Sequence, residues 1–173
     1  VEVSLDRGEI VAEGRRLPIC EIELELKAGS AQCLFDLALE IAAGLPVRLE
    51  NRSKAQRAHE LAAADKPAPA KAAQVNLDSG MSVNQAFAAL AFGCIGHLQA
   101  NESGLLEGRD PEYLHQARVA LRRLRSVCRV FRDIAMPTGF EPLLANVKTL
   151  GRTLGEARDW DVFLGDLPEA ERP

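Results

Sequence analysis

The sequence predicts an α+β chain: antiparallel strands with two helices come first, followed by an all-α segment. Three observations carry this prediction. Residues 1–27 alternate apolar and polar side chains, as in Val1, Val3 and Leu5 against Glu2, Ser4 and Asp6. From Ser82 onward the apolar residues recur at helical spacing. Between them, residues 65–80 are rich in alanine and proline and lack a periodic apolar face. The expected organisation is therefore 1–64, a linker at 65–80, and 81–173.

In the first segment, Asp6-Arg7-Gly8 and Gly14-Arg15-Arg16 read as turns, so three strands are expected, the last over Pro18–Lys27. Ser30 caps a helix over about 31–43, with Leu34, Leu37, Ala38 and Ile41 on one face, ended by Gly44-Leu45-Pro46. A short extended stretch, Val47–Glu50, precedes a second helix that Ser53 caps and that runs to about Ala63.

In the last segment, Ser82 caps a helix through about Ala100, which carries Phe87, Leu90, Ala91, Cys94 and Leu98. Asp110-Pro111 starts the next, with proline at the first helical position. It runs to about Ile134, where Met136-Pro137 and Gly139 break it. A third helix is expected over about 141–157, with something further from Asp159 to Leu164.

The second helix of that segment is the most informative part of the chain. Between residues 115 and 132 it holds six arginines and no acid. At about 100° per residue, His115, Arg118, Arg122, Arg125, Arg129 and Arg132 fall within one arc of roughly 100°. Ala117, Leu121, Leu124, Cys128 and Phe131 lie opposite. Such a stripe repels itself and becomes favourable when a polyanion lies along it. The net charge is −4, so the whole chain does not attract polyanions and any such site is local. Arginine favours planar, multidentate oxygen partners, carboxylate or phosphate alike. Candidate internal partners are Glu141, Glu156, Asp159 and Asp161. Arg123 lies off the stripe and is expected to form a salt bridge within the bundle, while Trp160 is expected in the core.

The second informative segment is Glu21, Glu23, Glu25 and Lys27, which share one strand face while Ile22, Leu24 and Leu26 share the other. Carboxylates about 7 Å apart repel one another. The face is either solvated, or it gathers a hard divalent cation, which prefers oxygen ligands. Glu2 and Asp6 share a face of the first strand.

The four cysteines form no Cys-x-x-Cys pair and are expected as reduced, buried thiols in a cytoplasmic protein. No zinc site, signal peptide or membrane span is expected. The chain opens on Val1 in strand-like alternation and reads as a piece of something longer.

The two halves together resemble a known pairing. Val1 to Ile10 and Pro18 to Gly29 resemble the C-terminal strands of CYTH domains, the triphosphate tunnel metalloenzymes. Ser53-Lys54-Ala-Gln-Arg57 resembles the segment that closes that domain. His115-Gln-Ala-Arg118-Val-Ala-Leu-Arg122-Arg123-Leu-Arg125 and Leu154-Gly155-Glu-Ala-Arg158-Asp159-Trp-Asp161 resemble CHAD domains. CYTH followed by CHAD is a recurrent bacterial architecture. The resemblance implies a partial antiparallel β-tunnel followed by a helical-bundle segment. It also implies Mg²⁺ or Mn²⁺ as cofactor, with Asp6, Glu21 and Glu23 as metal ligands and Glu25 facing the tunnel beside them. It further implies inorganic polyphosphate or tripolyphosphate as partner, held by His115, Arg118, Arg122, Arg125, Arg129, Lys148 and Arg152.

The resemblance covers only the family's late acidic strand; its N-terminal Glu-x-Glu-x-Lys strand and its middle strands have no counterpart, so the fragment alone is expected to be an incompetent triphosphatase within a competent parent. The alternatives are a nucleic-acid-binding module, disfavoured because the stripe lacks stacking aromatics, and a purely structural bundle whose arginines are satisfied internally.

Overall fold

The computed structural model describes residues 1–63, 68–108, 110–135 and 139–166. The chain divides into two compact units, Val1–Lys66 and Pro67–Pro173. The architecture is α+β, with a two-stranded antiparallel sheet and five helices among the described residues. None of these helices is long and apolar enough to cross a membrane.

The first unit is a hairpin with two helices. Strands β1 (Glu2–Ala12) and β2 (Arg15–Glu25) pair along their whole length, from Glu2 opposite Glu25 to Ala12 opposite Arg15. The expected turn at Asp6-Arg7-Gly8 is thus a correction: the chain continues straight through it, with Gly8 opposite Ile19. The turn is at Glu13-Gly14, both at positive φ (48° and 74°), a two-residue loop whose twist matches the strands it joins. Counted from that loop, Pro18 falls opposite Glu9 at a non-hydrogen-bonded position, where its missing N–H costs the ladder nothing. The hairpin leaves an open sheet, not a closed tunnel.

Helix α1 (Ala31–Gly44) is capped by Ser30, whose hydroxyl accepts from the Gln32 N–H at 3.2 Å. Leu34, Leu37, Ala38 and Ile41, the face expected to pack, are its half-buried positions. Val47–Glu50 carries no strand pairing. Ser53 begins helix α2 (Lys54–Ala63), its hydroxyl accepting from the Gln56 N–H at 3.1 Å. Helix α2 packs on both strands, and Arg15 donates to the Leu61 carbonyl near its C-terminal end at 3.0 Å.

The second unit is a three-helix assembly. Helix α3 (Val83–Leu106) opens with a reciprocal capping box between Ser82 and Gln85. It extends one and a half turns past the expected end, because the buried ring of Tyr113 lies against Gly104, where a Cβ would meet the ring at 2.3 Å. The glycine that weakens helix propensity here is what lets the two helices approach. Helix α4 (Pro111–Val130) is capped by Asp110 with Pro111 in its first turn. It ends four residues short of the expected Ile134: Phe131 leaves the helical conformation with its ring 5.5 Å from that of Phe87.

Helix α5 (Glu141–Asp166) is one continuous helix where a break near 157 was expected. Each helical glycine costs only about 1 kcal/mol, which flanking Leu154, Glu156, Ala157 and Arg158 offset. The core between these helices is built from Phe87, Cys94, Leu121, Leu124, Cys128 and Val147. The break expected at Met136-Pro137 lies outside the described residues.

Of the stretch read as a linker, residues 65–67 lie outside the described residues and 68–80 carry no helix or strand. Ala70 is nonetheless fastened to α3. The fully buried Asn101 accepts from the Ala70 N–H and donates to its carbonyl, both at 3.0 Å, and His97 Nε2 lies 3.0 Å from the same carbonyl. His97 Nε2 also lies 3.1 Å from Gln116 Oε1, so with oxygen acceptors on both sides this nitrogen carries the proton. Val75 packs over Gly93.

Candidate functional site

Two sites emerge, one in each unit. In the first, the strand register places Asp6 opposite Glu21 and Glu2 opposite Glu25, so the acids of both strands share one face. Helix α2 lies over that face and answers it with cations. Lys54 Nζ bonds the Asp6 carboxylate, reaches Glu23 at 2.5 Å and lies 3.2 Å from Glu21. Arg57, nine-tenths buried, donates to Glu21 at 2.6 Å. Burial works to raise the Glu21 carboxyl, but the hydrogen bonds and charges of Arg57 and Lys54 outweigh it and hold the group below its usual range. The Lys54 ammonium is held above its ordinary value, chiefly by its bonds to Asp6 and Glu23.

Ligand oxygens from Asp6, Glu21 and Glu23 lie within 4.8 Å of one another. This all-oxygen set suits Mg²⁺ or Mn²⁺. Glu21 Oε1, fully enclosed, has the Lys54 ammonium 3.2 Å away but no well-aligned hydrogen bond, so it keeps acceptor capacity that a cation would use. Of the four sequence candidates, Glu25 stands apart, paired with Lys27 at 2.7 Å. The sequence offered no partner for these acids, yet Lys54 and Arg57, three apart on one helix, share the face that meets them.

The second site is a groove between α4 and α5. Its larger part, ≈ 280 Å³, is lined by His115, Arg118, Arg122, Arg125 and Arg158, with Gly151 and one acid, Asp159. A smaller part of ≈ 160 Å³ includes Arg125, Arg129, Arg132 and Lys148. Arg125 belongs to both, so the cationic lining is continuous. Among the described residues, Arg122, Arg125, Arg129, Arg132 and Lys148 make no ion pair.

Arg118 differs. It is half-buried and donates to the Gly155 carbonyl at 2.9 Å, with Asp159 at 3.8 Å. Arg152, expected across the groove, is exposed on α5 and lines neither part. Arg158 was missed: it shares a helical face with Lys148, Gly151 and Gly155, a phase hidden by ending the helix near 157. Its own nearest acid is Asp161 at 4.0 Å.

Other expectations are corrected here. Arg123 forms no ion pair among the described residues. One of its terminal nitrogens is buried without a hydrogen bond, and its charge reaches the Cys94 thiol. Trp160 is 65% exposed rather than in the core, packed edge-on against Phe163. Cys94 and Cys128 are buried thiols whose pKa values burial pushes up, but Cys20 and Cys33 are exposed.

The family comparison falls on the helices that build this groove. Residues 89–173 match the CHAD domain. The crystal structure of the CHAD domain from the plant Ricinus communis is similar, with a TM-score of 0.52 and 40% identity, over 60% of this chain and 36% of that one. Over 61 residues the chain is 39% identical to the inorganic triphosphatase of Haemophilus influenzae, a stretch amounting to 35% of this chain. It spans only 17% of that relative's length.

Proposed function

We propose that this chain is a segment of a bacterial inorganic triphosphatase of CYTH–CHAD type, and that its CHAD segment binds inorganic polyphosphate or tripolyphosphate. On this reading residues 1–64 belong to a CYTH tunnel, 65–80 connect, and 81–173 form part of the CHAD domain. The cationic groove between α4 and α5, in which the positive groups outnumber the one acid, carries the proposal. Asp159 is the one acid in the lining; Arg122, Arg125 and Arg129 lie along one helix face and make no ion pair among the described residues, and Lys148 joins them from α5. A linear polyanion neutralises all of them at once, with multidentate oxygen contacts. The likeness to an inorganic triphosphatase supports phosphate over other polyanions.

In the first unit, Asp6, Glu21 and Glu23 would hold Mg²⁺ or Mn²⁺. When bound, such an ion neutralises phosphate oxygens and lowers the pKa of a bound water. This chain's own contribution there is to fix the carboxylates: Arg57 orients Glu21, and the paired strands set the spacing. On this reading the two strands are part of a larger tunnel, and the chain by itself is catalytically incomplete.

Binding of long-chain polyphosphate to the chain, followed by titration calorimetry at moderate salt, tests the reading. Arg122→Ala with Arg125→Ala should weaken affinity tenfold or more. Unchanged affinity refutes the polyphosphate site. Equal or better competition by single-stranded RNA would move the assignment to nucleic acid.

A further inference from the structure

The carboxylate cluster and the first turn of α2 are linked by one side chain. Lys54 follows directly on the Ser53 cap, so its backbone is fixed at the helix entrance. Its ammonium is in contact with Asp6, Glu21 and Glu23, the same three groups whose oxygens lie within 4.8 Å of one another. An ammonium offers three N–H donors, and three carboxylates surround it.

A divalent cation would need those oxygens at about 2.0–2.6 Å from its own centre. An ammonium and a divalent ion close enough to share these three carboxylates repel each other, and within about 4 Å that repulsion exceeds what the ammonium gains from a shared oxygen but not what the divalent ion gains, so the ammonium is the one that leaves. Arg57 stands differently. It approaches Glu21 through Oε2, on the side away from the Oε1 atom that faces Lys54. Departure of Lys54 therefore leaves Glu21 still held.

We propose that Lys54 is a built-in competitor for the cation site: its ammonium occupies the place between Asp6, Glu21 and Glu23 that a divalent cation takes, and cation entry displaces it. This rests on the reading of those three carboxylates as a cation site. It adds that the site's affinity is set by a lysine of α2, and that loading the site releases that lysine to solvent while Arg57 keeps the helix docked. The resting protein thus carries an acidic face whose three carboxylates are offset by two cations, and it does not collect stray cations until their concentration overcomes the tethered ammonium.

The experiment uses the chain as it stands. Mn²⁺ binding is followed by the loss of the free-ion signal in electron paramagnetic resonance, for the wild type, Lys54→Met and Lys54→Arg. Methionine keeps the aliphatic stem and removes the charge. Lys54→Met should bind Mn²⁺ at least tenfold more tightly than wild type, and Lys54→Arg should not. In parallel, the wild-type protein is treated with an amine-acylating reagent with and without Mg²⁺, and modified lysines are located by mass spectrometry. Lys54 should be protected without Mg²⁺ and at least fivefold more reactive with it, a readout that needs no variant to fold.

Equal Mn²⁺ affinity in wild type and Lys54→Met, or Lys54 reactivity unmoved by Mg²⁺ once Mn²⁺ binding is established, overturns the competition and leaves the cation site standing. Absence of Mn²⁺ binding at millimolar concentration in both wild type and Lys54→Met overturns the cation site and the competition together.

Discussion

The two charged surfaces of this chain differ in how their charge is met. The carboxylate row of the hairpin is answered from within: Lys54 and Arg57 of α2 reach Asp6, Glu21 and Glu23. The guanidinium row of α4 is not. Among the described residues Arg118 alone of that row bonds an internal partner, and the arginines beyond it face a groove. Neighbouring guanidinium groups about 6 Å apart repel by of order 0.7 kcal/mol even in water. A fold that keeps several such pairs with one acid, Asp159, in their groove gives up stability there, and that concession is intelligible if a ligand supplies the missing charge. The lesson is that like-charged rows which look equivalent in sequence separate into a braced surface and a receptive one according to what the opposing helix presents.

The largest effect is expected where the bracing is buried. Arg57→Leu removes the cation beside Glu21 and leaves a carboxylate with only 18% of its side chain exposed and its best partner gone. Breaking a fully buried pair costs about 3–5 kcal/mol, and Glu21's residual exposure and its contact with Lys54 reduce this to about 2–3 kcal/mol. Urea unfolding of the variant should show that loss in the first unit. A loss under 0.5 kcal/mol would mean that the acidic face needs no internal counter-charge, and the contrast would fail on its first side.

The receptive surface should behave oppositely. Arg122→Ala with Arg125→Ala, the pair expected to weaken polyphosphate binding tenfold, should leave the melting temperature of the free protein unchanged or raised. The removed groups have no partner to lose, and alanine is the better helix former. Simultaneous loss of affinity and of several degrees in Tm would show that these arginines are structural.

Arg118 sits between the two cases. Its guanidinium bonds the Gly155 carbonyl and faces the groove, so it positions α5 against α4 as well as lining the site. Arg118→Ala should cost about 1 kcal/mol of stability, the worth of a charged hydrogen bond that is partly solvated. It should also weaken polyphosphate binding, whereas Arg118→Lys should recover part of the affinity through charge but little of the stability, since lysine lacks the forked geometry. A variant that loses affinity alone would place Arg118 with the free arginines instead.

Much of this contrast was legible in sequence. The arginine arc follows from spacing alone, and the strand parity put Glu21, Glu23 and Glu25 on one face. The helix starts at Ser30, Ser53, Ser82 and Asp110 were carried by local capping chemistry. What stayed hidden depends on non-local pairing. Gly8 suits a turn or an extended strand equally, and only the partner strand decides. Gly155 suits a helix end until the packing of α5 against Arg118 is known, and ending the helix there concealed Arg158. The docking of Ala70 onto Asn101 leaves no periodic trace, because one backbone group held by one amide has no repeat. Lys54 and Arg57 were visible as a segment, but their meeting with the acidic strand required the fold.

The smallest effect tests the comparison from the exposed side. Glu50 is also internally answered, through Arg52, yet on the surface. The hydrogen bond from Arg52 Nη2 at 2.7 Å, with a lesser opposing push from burial, brings its carboxyl down from about 4.5 to about 2. A carboxyl lowered on folding stabilises the protein above its unfolded pKa and loses that contribution as pH falls through the folded value. Glu50→Gln should therefore matter at pH 7, matter less between pH 4.5 and pH 2, and be indistinguishable from wild type below that. Its partner is 40% exposed, so solvent screening limits the difference at pH 7 to about 0.2–1 kcal/mol. Thermal unfolding of both proteins across that pH range measures it. If the Glu50→Gln deficit instead matched that of Arg57→Leu, internal pairing on the surface would be worth as much as pairing beneath α2, and burial would no longer explain why one charged row is held and the other left open.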